Sequence, residues 1–132
     1  MKYMLDTNIC IYVIKKKPPQ TLARFSACAS GDLCISSITL AELEYGVSKS
    51  SAPLKNKLAL MMFLSGIVVV PFDSKAATEY GDIRAALERQ GTPIGANDLL
   101  IAAHARSLNL TLVTNNVREF SRVDRLSVEN WA

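Results

Sequence analysis

The sequence has few cysteines, and they form no disulfide pattern. Cys10, Cys28 and Cys34 are odd in number and include no C-x-x-C pair, which argues against a secreted framework and fits a reducing cytosol. A secretory signal is also missing, because Asp6 interrupts the first apolar residues. The longest uncharged stretch, residues 58–72, is shorter than the roughly 20 residues of a membrane-spanning helix. We therefore expect a cytoplasmic protein without a membrane segment.

Several phosphate-handling motifs are absent as well. There is no G-x-x-x-x-G-K-[ST] loop, so an NTPase is not indicated. A haloacid-dehalogenase-type phosphatase would need an Asp two residues after Asp6, where Asn8 stands, and the acidic pair of a receiver domain is missing. The only histidine, His104, follows Asp98 by six positions on a predicted helix, which turns it away from that face. We expect His104 to be structural.

The remaining composition is typical of a globular protein. The chain has 132 residues, of which 49% are hydrophobic and 20% are charged, so it can bury a core without disulfides. This length predicts a single domain over residues 1–132. The net charge is only +3, but the surface is more basic than this total if several carboxylates share one pocket. Such a charge distribution suits a polyanionic substrate.

Strand-like and helix-like segments alternate along the chain. Apolar and β-branched runs predict strands at residues 2–5, 33–35, 67–70, 110–113 and 126–128. Helical spacing and end signals predict helices from residue 7 to the lysines at 15–17 and at residues 19–29, 39–47, 53–64, 74–90, 97–108 and 118–120. This alternation predicts an α/β fold, a parallel sheet of four to five strands with helices on both faces in three layers. The continuous β-branched run at 67–70 predicts a strand buried on both faces.

Three acidic residues are predicted to meet at one edge of this sheet. Ligands bind beyond the carboxyl ends of parallel strands, and Asp6 directly follows the first strand. Glu42 is placed in the first turn of the helix after the second strand, and Asp98 in the first turn of the helix that leads into the strand at 110. Both helices begin at that edge, and Asn115 and Asn116 reach it at the end of the same strand.

Such a cluster predicts metal-dependent chemistry. Converging carboxylates repel one another unless a cation neutralises them, and a site with only oxygen ligands suits Mg²⁺, with Mn²⁺ able to substitute, better than Zn²⁺. A cation held there would lower the pKa of a bound water and stabilise charge on a phosphodiester undergoing displacement. The acids therefore predict a nuclease.

Each acid also has a purely structural interpretation. Glu42 could close a capping box with Thr39, in which its side chain bonds back to the Thr39 amide. Asp6 could simply be the N-cap of the first helix. Asn97 is a good cap for its own helix, which would leave Asp98 free to point elsewhere. Convergence of the three acids favours metal ligation over these alternatives.

Four segments, in order along the chain, carry a family resemblance. They are residues 5–8 (LDTN), 41–46 (AELEYG), 94–105 (IGANDLLIAAHA) and 113–120 (VTNNVREF). Together they resemble the PIN-domain nucleases and, within that family, the VapC toxins of type II toxin–antitoxin pairs. The resemblance implies a PIN-like fold and a Mg²⁺-dependent endoribonuclease that is a homodimer and is held inactive by a VapB-type antitoxin. It also implies an RNA substrate, either tRNA, with the anticodon region of initiator tRNA as the main candidate, or ribosomal RNA.

Further residues in these segments are expected to support the acids. They are Thr7, Asn8, Thr114, Asn116 and Glu119. The two threonine hydroxyls either satisfy backbone groups or orient the carboxylates. Many family members carry an Asp where this chain has Asn116, and only Glu119 follows nearby. An amide carries less charge than a carboxylate, so we expect one well-bound metal and a weakly held second.

Basic residues follow the last segment. Arg118, Arg122 and Arg125 are candidates for contacts with RNA phosphates. The lysines at 15–17 are expected to stabilise a helix C-terminus and to lie opposite the active edge. Two alternatives to a toxin remain open, namely a housekeeping PIN-domain nuclease that processes RNA without an antitoxin, and a non-catalytic binding module. Retention of all three acids counts against the binding module.

Overall fold

A computed structural model describes residues 1–132 as one parallel sheet flanked by helices. The strands are β1 (Tyr3–Leu5), β2 (Leu33–Ser36), β3 (Val68–Val70), β4 (Thr111–Val113) and β5 (Ser127–Glu129). The helices are α1 (Thr7–Lys15), α2 (Pro19–Ser26), α3 (Ser37–Lys49), α4 (Pro53–Leu64), α5 (Ser74–Gln90), α6 (Ala96–Ser107) and α7 (Val117–Phe120). The strand order is β3-β2-β1-β4-β5, and every pair is parallel. The predicted fold class is confirmed, and no helix combines the length and apolarity needed to cross a membrane.

The central strands divide the core into two layers. Successive side chains of a strand point to opposite faces, so Met4 of β1 lies beside Leu112 of β4 on one face, and Leu5 lies beside Val113 on the other. The first pair belongs to a buried cluster that includes residues of α5 and α6. The second pair belongs to a cluster with residues of α1, α3 and α4. Helices therefore cover both faces, as predicted.

The prediction that β3 is buried on both faces is wrong. β3 pairs only with β2 and is therefore an edge strand. Val68 is 44% exposed and Val69 is 37% exposed, whereas Val70 packs against the core. A continuous β-branched run is typical of a buried strand, but position in the sheet decides burial, and the sequence does not contain the strand order.

Two predicted helix starts also differ from the structure. α3 begins two residues early, because Ser36 is its N-cap and the Ser36 Oγ accepts a hydrogen bond from the Ile38 amide at 3.1 Å. Gly95 precedes α6 without a side-chain cap, so Asn97 is not the N-cap that was predicted. At α1 the predicted cap is correct, since Asp6 holds this position. The other boundaries differ from prediction by less than a helical turn.

The C-terminus is anchored against the start of the chain. Trp131 is only 2% exposed, and its ring meets that of Tyr3 edge to face at 5.1 Å between centroids. The Thr21 hydroxyl of α2 donates to the Trp131 carbonyl at 2.8 Å. Arg24 of the same helix pairs with Glu129 of β5. These contacts hold α2 and the last strand together.

Candidate active site

Asp6 lies at the carboxyl end of β1 and is almost fully buried, with 5% exposure. Its Oδ1 accepts a hydrogen bond from the Ile9 amide at 2.9 Å, which caps α1. The Thr114 side chain, at the end of β4, also hydrogen-bonds to Asp6. Burial raises the pKa of Asp6 above its usual value, these hydrogen bonds oppose the rise, and the charge of Glu42 adds to it. Asp6 therefore caps α1 and also lies in the acidic site.

Glu42 bridges two other helices and does not close a capping box. Because α3 begins at residue 37, Glu42 lies in its second turn and not in the first. The Thr7 hydroxyl of α1 donates to Glu42 Oε1 at 2.6 Å, and the Asn97 amide of α6 donates to Oε2 at 3.0 Å. Thr39 Oγ1 is buried without a partner. The carboxylate is thus held in place by the elements that carry Asp6 and Asp98.

Asp98 is the most perturbed carboxylate of the site. It lies in the first turn of α6, as predicted. Burial is the main cause that raises the pKa of Asp98 to about 6, followed by the charge and hydrogen bond of Glu119 and then by the charges of Asp6 and Glu42. Three other carboxylates, those of Glu119, Asp6 and Glu42, therefore act on Asp98, although they come from separate parts of the chain. The predicted convergence of acids is present.

Asn116 and Glu119 form the fourth side of the site. The side-chain amide of Asn116 donates to Glu119 Oε2 at 3.0 Å, and the backbone N–H of Asn116 donates to Thr114 Oγ1 at 2.9 Å. Thr114 is fully buried and also hydrogen-bonds to Asp6. Its hydroxyl therefore links the backbone of the β4–α7 connection to the first acid, and the amide of Asn116 orients Glu119.

The rim of the site includes a residue that the sequence did not single out. Asn8, in the first turn of α1, is exposed, and so is Asn115. The Asn115 side chain donates to the Tyr12 hydroxyl at 2.8 Å. Tyr12 lies four residues after Asn8 and therefore on the same face of α1. That spacing is the signal that could have identified it.

The donor set determines what the site can hold. No three Asp, Glu, His or Cys side chains are placed so that all could ligate one metal ion directly. The side chains that meet here carry oxygen donors, and the neighbouring carboxylates add to the effect of burial in raising the pKa of Asp98. Mg²⁺ keeps several waters in proteins and uses one or two carboxylates directly. The arrangement therefore fits a partly hydrated hard cation better than a fully protein-ligated ion.

His104 is not part of the site. It is 1% exposed, and its Nδ1 lies 2.7 Å from Ser36 Oγ, the cap of α3. Its ring meets that of Phe72 edge to face at 5.4 Å between centroids. Burial lowers the pKa of His104, which keeps it neutral near pH 7. The expected structural role is borne out.

The three arginines that were candidates for RNA contacts have different surroundings. Arg118 is exposed and adjoins Glu119, while Arg122 Nη1 donates to the Pro93 carbonyl at 3.1 Å, beside the start of α6. Arg125 lies 3.5 Å from Asp82 of α5. Lys15 is in the last turn of α1, at the opposite end of this helix from its N-cap Asp6. This lysine lines a groove of about 310 Å³ together with Glu42.

Comparisons with known proteins identify the family of this chain. The model of the PIN domain family matches residues 3–126. A ribonuclease VapC2 of Haemophilus influenzae is 53% identical over 131 residues, which cover 99% of this chain and 98% of that protein. A tRNA(fMet)-specific endonuclease VapC of Shigella flexneri is 52% identical over 132 residues, with 100% and 99% covered.

Solved structures give the same result for the fold. One chain in the crystal structure of VapBC2 from Rickettsia felis bound to a DNA fragment from its promoter is 47% identical to this chain. The alignment covers 100% of each chain, with a TM-score of 0.94. A chain of the DNA-bound VapBC from Salmonella typhimurium is 48% identical, covers 100% of this chain and 99% of that one, and has the same TM-score of 0.94. The chain therefore belongs to the PIN-domain family and, within it, to the VapC group.

Proposed function

We propose that this chain is the toxin of a type II toxin–antitoxin pair, a metal-dependent endoribonuclease that acts in the cytoplasm and inhibits translation. The observation that carries the proposal is the meeting of Asp6, Glu42 and Asp98 at one edge of the sheet, where burial, then Glu119, and then the charges of Asp6 and Glu42 raise the pKa of Asp98 to about 6. Relatives at 52–53% identity carry the names ribonuclease and tRNA(fMet)-specific endonuclease. We therefore propose tRNA as substrate, with the initiator tRNA anticodon region as the first candidate.

Mg²⁺ is the proposed cofactor, and Mn²⁺ is expected to substitute for it. Asp6, Glu42 and Asp98 would hold the ion, directly or through water. A bound divalent cation would supply an activated water and stabilise charge on the phosphodiester. The chain itself keeps the acids in place, since Thr7 and Asn97 position Glu42.

A single well-bound metal remains our expectation. Asn116 is neutral, and its amide is engaged in orienting Glu119. The fourth side of the site therefore carries one carboxylate, from Glu119, where an Asp at position 116 would have added another. Titration of Mn²⁺ followed by calorimetry should give one strong site per chain, and two strong sites would contradict this expectation.

An antitoxin of the VapB type is the proposed partner. A groove of about 310 Å³ runs between α1, α3 and α4, and most of its lining is apolar: Ile11, Ile14, Leu43, Val47, Ala59 and Leu60. Glu42 lines the same groove, so a segment seated there would reach the site. Apolar side chains are also exposed along α4: Leu54, Leu58, Met61 and Met62. Exposed apolar patches of this kind are typical of protein interfaces.

A substitution in the groove would test this partner. Ala59 lines both this groove and a neighbouring cavity under α4. Ala59→Glu is expected to leave RNA cleavage intact while antitoxin no longer neutralises it. Co-purification of the two proteins and cleavage in the presence of antitoxin measure both effects. Full neutralisation of this variant would exclude the groove.

Activity itself is tested by incubating the purified chain with total tRNA and Mg²⁺. We expect discrete cleavage products that disappear with EDTA and in the Asp98→Asn variant. Absence of cleavage under all divalent ions would favour a binding module instead. Growth arrest on expression, relieved by co-expressed antitoxin, separates a toxin from a housekeeping RNA-processing nuclease.

The remaining expectations about assembly are proposals too. We propose that residues 1–132 form a single nuclease domain and that the chain is a homodimer, as the resemblance to VapC toxins implies. Light scattering of the purified protein would give the mass directly. A monomer at every concentration tested would contradict the dimer.

A further inference from the structure

Three polar side chains form a row along the outward face of α1. Asn8, Tyr12 and Lys15 are spaced at i, i+4 and i+7, which places them on one face of the helix. The buried residues of α1, namely Ile9, Cys10 and Val13, occupy the opposite face. Asn8 and Lys15 of this row are exposed, whereas Tyr12 is partly buried, so packing against the sheet accounts only for Tyr12.

The row adjoins the acids at its N-terminal end. The backbone of Asn8 donates a hydrogen bond to Asp6. Asn115, whose side chain donates to the Tyr12 hydroxyl at 2.8 Å, stands between Thr114, the partner of Asp6, and Asn116. Asn115 therefore lies on the rim of the site, next to groups that contact its carboxylates, and Tyr12 is joined to it by this hydrogen bond.

The pair retains unused hydrogen-bonding capacity. The Tyr12 hydroxyl accepts the bond from Asn115 and donates to no group of the chain, and the Asn115 carbonyl oxygen accepts no bond. The ring of Tyr12 is partly buried and packs against the core cluster below α1, so its position is fixed, whereas Asn115 is exposed. The rim thus presents a donor and an acceptor beside an aromatic ring held in a defined place.

We propose that Tyr12 and Asn115 bind an unpaired nucleobase next to the scissile phosphate and so contribute to the choice of cleavage site. The inference rests on the proposed RNA substrate. Sequence-specific proteins read RNA mainly at unpaired bases, which stack on aromatic rings and hydrogen-bond through their edges. An amide offers both a donor and an acceptor to such an edge. Lys15 follows on the same face and can meet a phosphate of the same strand.

The experiment compares protein variants with altered RNA. The cleavage site in total tRNA is first mapped, and a synthetic hairpin of that region is made with each loop base in turn replaced by an abasic residue. Tyr12→Ala, Tyr12→Phe and Asn115→Ala are assayed for kcat and KM. Tyr45→Ala is the matched control, because Tyr45 is an exposed tyrosine on α3 whose ring contacts Lys49 of the same helix.

A base contact has a specific signature in these data. Tyr12→Ala is expected to lower kcat/KM on the intact hairpin about tenfold, the magnitude of one stacked base, mainly through KM. At one loop position, Tyr12→Ala should cleave the abasic and the intact hairpin with the same kcat/KM. The parent and Tyr45→Ala should cleave the intact hairpin with the higher kcat/KM. Tyr12→Phe keeps the ring but not the hydroxyl, and it should retain part of the preference for the intact hairpin. The proposal would be overturned if Tyr12→Ala lowered kcat/KM by the same factor on every hairpin. It would also be overturned if the variant preferred the intact hairpin as strongly as the parent does.

Binding measurements separate this inference from the proposed function. Fluorescence anisotropy of the same hairpins with the Asp98→Asn protein, with and without Tyr12→Ala, reports the base contact without cleavage. If the parent cuts no RNA but base-dependent binding needs Tyr12, the nuclease proposal is wrong and the contact stands. If the parent cuts RNA and the Tyr12 and Asn115 variants leave its base dependence unchanged, the nuclease proposal stands and the base contact is wrong. Mn²⁺ affinity equal to that of the parent shows that the variants leave the acids in place.

Discussion

Asp98→Asn is expected to abolish cleavage and at the same time to stabilise the metal-free protein at neutral pH. The pKa of Asp98 is raised from 3.8 to about 6, chiefly by burial and then by Glu119. The folded state therefore binds the proton of Asp98 more tightly than the unfolded state does. Stability falls as the pH rises between about 4 and 6, and the loss is complete near pH 7. An asparagine carries no charge and escapes this loss.

The magnitude follows from the same pKa. A rise from 3.8 to about 6 corresponds to about 3 kcal/mol, at about 1.4 kcal/mol for each pH unit. Asp98 is only partly buried, and solvent screening reduces this value, so we expect a gain of about 1–1.5 kcal/mol. For a domain of this size, that gain raises the Tm by about 3–6 °C.

Thermal unfolding followed by circular dichroism, in EDTA and from pH 4 to pH 8, measures the effect. The difference in Tm between variant and parent should be near zero at pH 4 and should grow through pH 6. Asp82→Asn is the matched control, because Arg106 lowers the pKa of Asp82. The negative charge of Asp82 therefore stabilises the folded state, in contrast to that of Asp98. This variant should not be more stable than the parent at pH 7. A Tm gain for Asp98→Asn that is independent of pH would refute the electrostatic reasoning.

Three other outcomes are expected. Thr7→Val removes the 2.6 Å hydrogen bond to Glu42 and should lower kcat about tenfold, the effect of one charge-assisted bond, in single-turnover cleavage with the fold unchanged by circular dichroism. Trp131→Ala empties a site that is 2% exposed and should lower the free energy of unfolding by about 3 kcal/mol, measured in urea, without changing the cleavage site. Chelation should stop cleavage, and added Mg²⁺ or Mn²⁺ should restore it, as seen on a gel. Activity that persists after exhaustive chelation would contradict a metal-dependent mechanism.

The layers of the fold and the meeting of the acids could be predicted because both depend on local patterns. Alternating strands and helices predict a parallel sheet, and a parallel sheet brings the residues after its strands to one edge. Asp6 follows β1 directly, and α6 has to begin at the edge where β1 and β4 end, so Asp98 was placed correctly without coordinates. No distance between side chains was needed for this inference.

The errors arise where the outcome depends on contacts between distant segments. The run at 67–70 has the composition of a buried strand, but its place at the sheet edge comes from the strand order. Thr39 and Glu42 have the spacing of a capping box, yet the N-cap of α3 is Ser36, whose hydroxyl also lies 2.7 Å from His104 Nδ1 of α6. Glu42 is left to accept hydrogen bonds from Thr7 and Asn97, 35 and 55 residues away. No local pattern contains these pairings.

The acids of the site are not equivalent, and the difference predicts where a cation acts. Asp6 is buried but accepts hydrogen bonds from Ile9 and Thr114, which oppose the effect of burial on its pKa. For Asp98 each major contribution raises the pKa, including the hydrogen bond with Glu119. A cation therefore relieves most repulsion at Asp98, and Mg²⁺ should raise the Tm of the parent. It should raise the Tm of Asp98→Asn much less, because the charge that the cation would neutralise is no longer there.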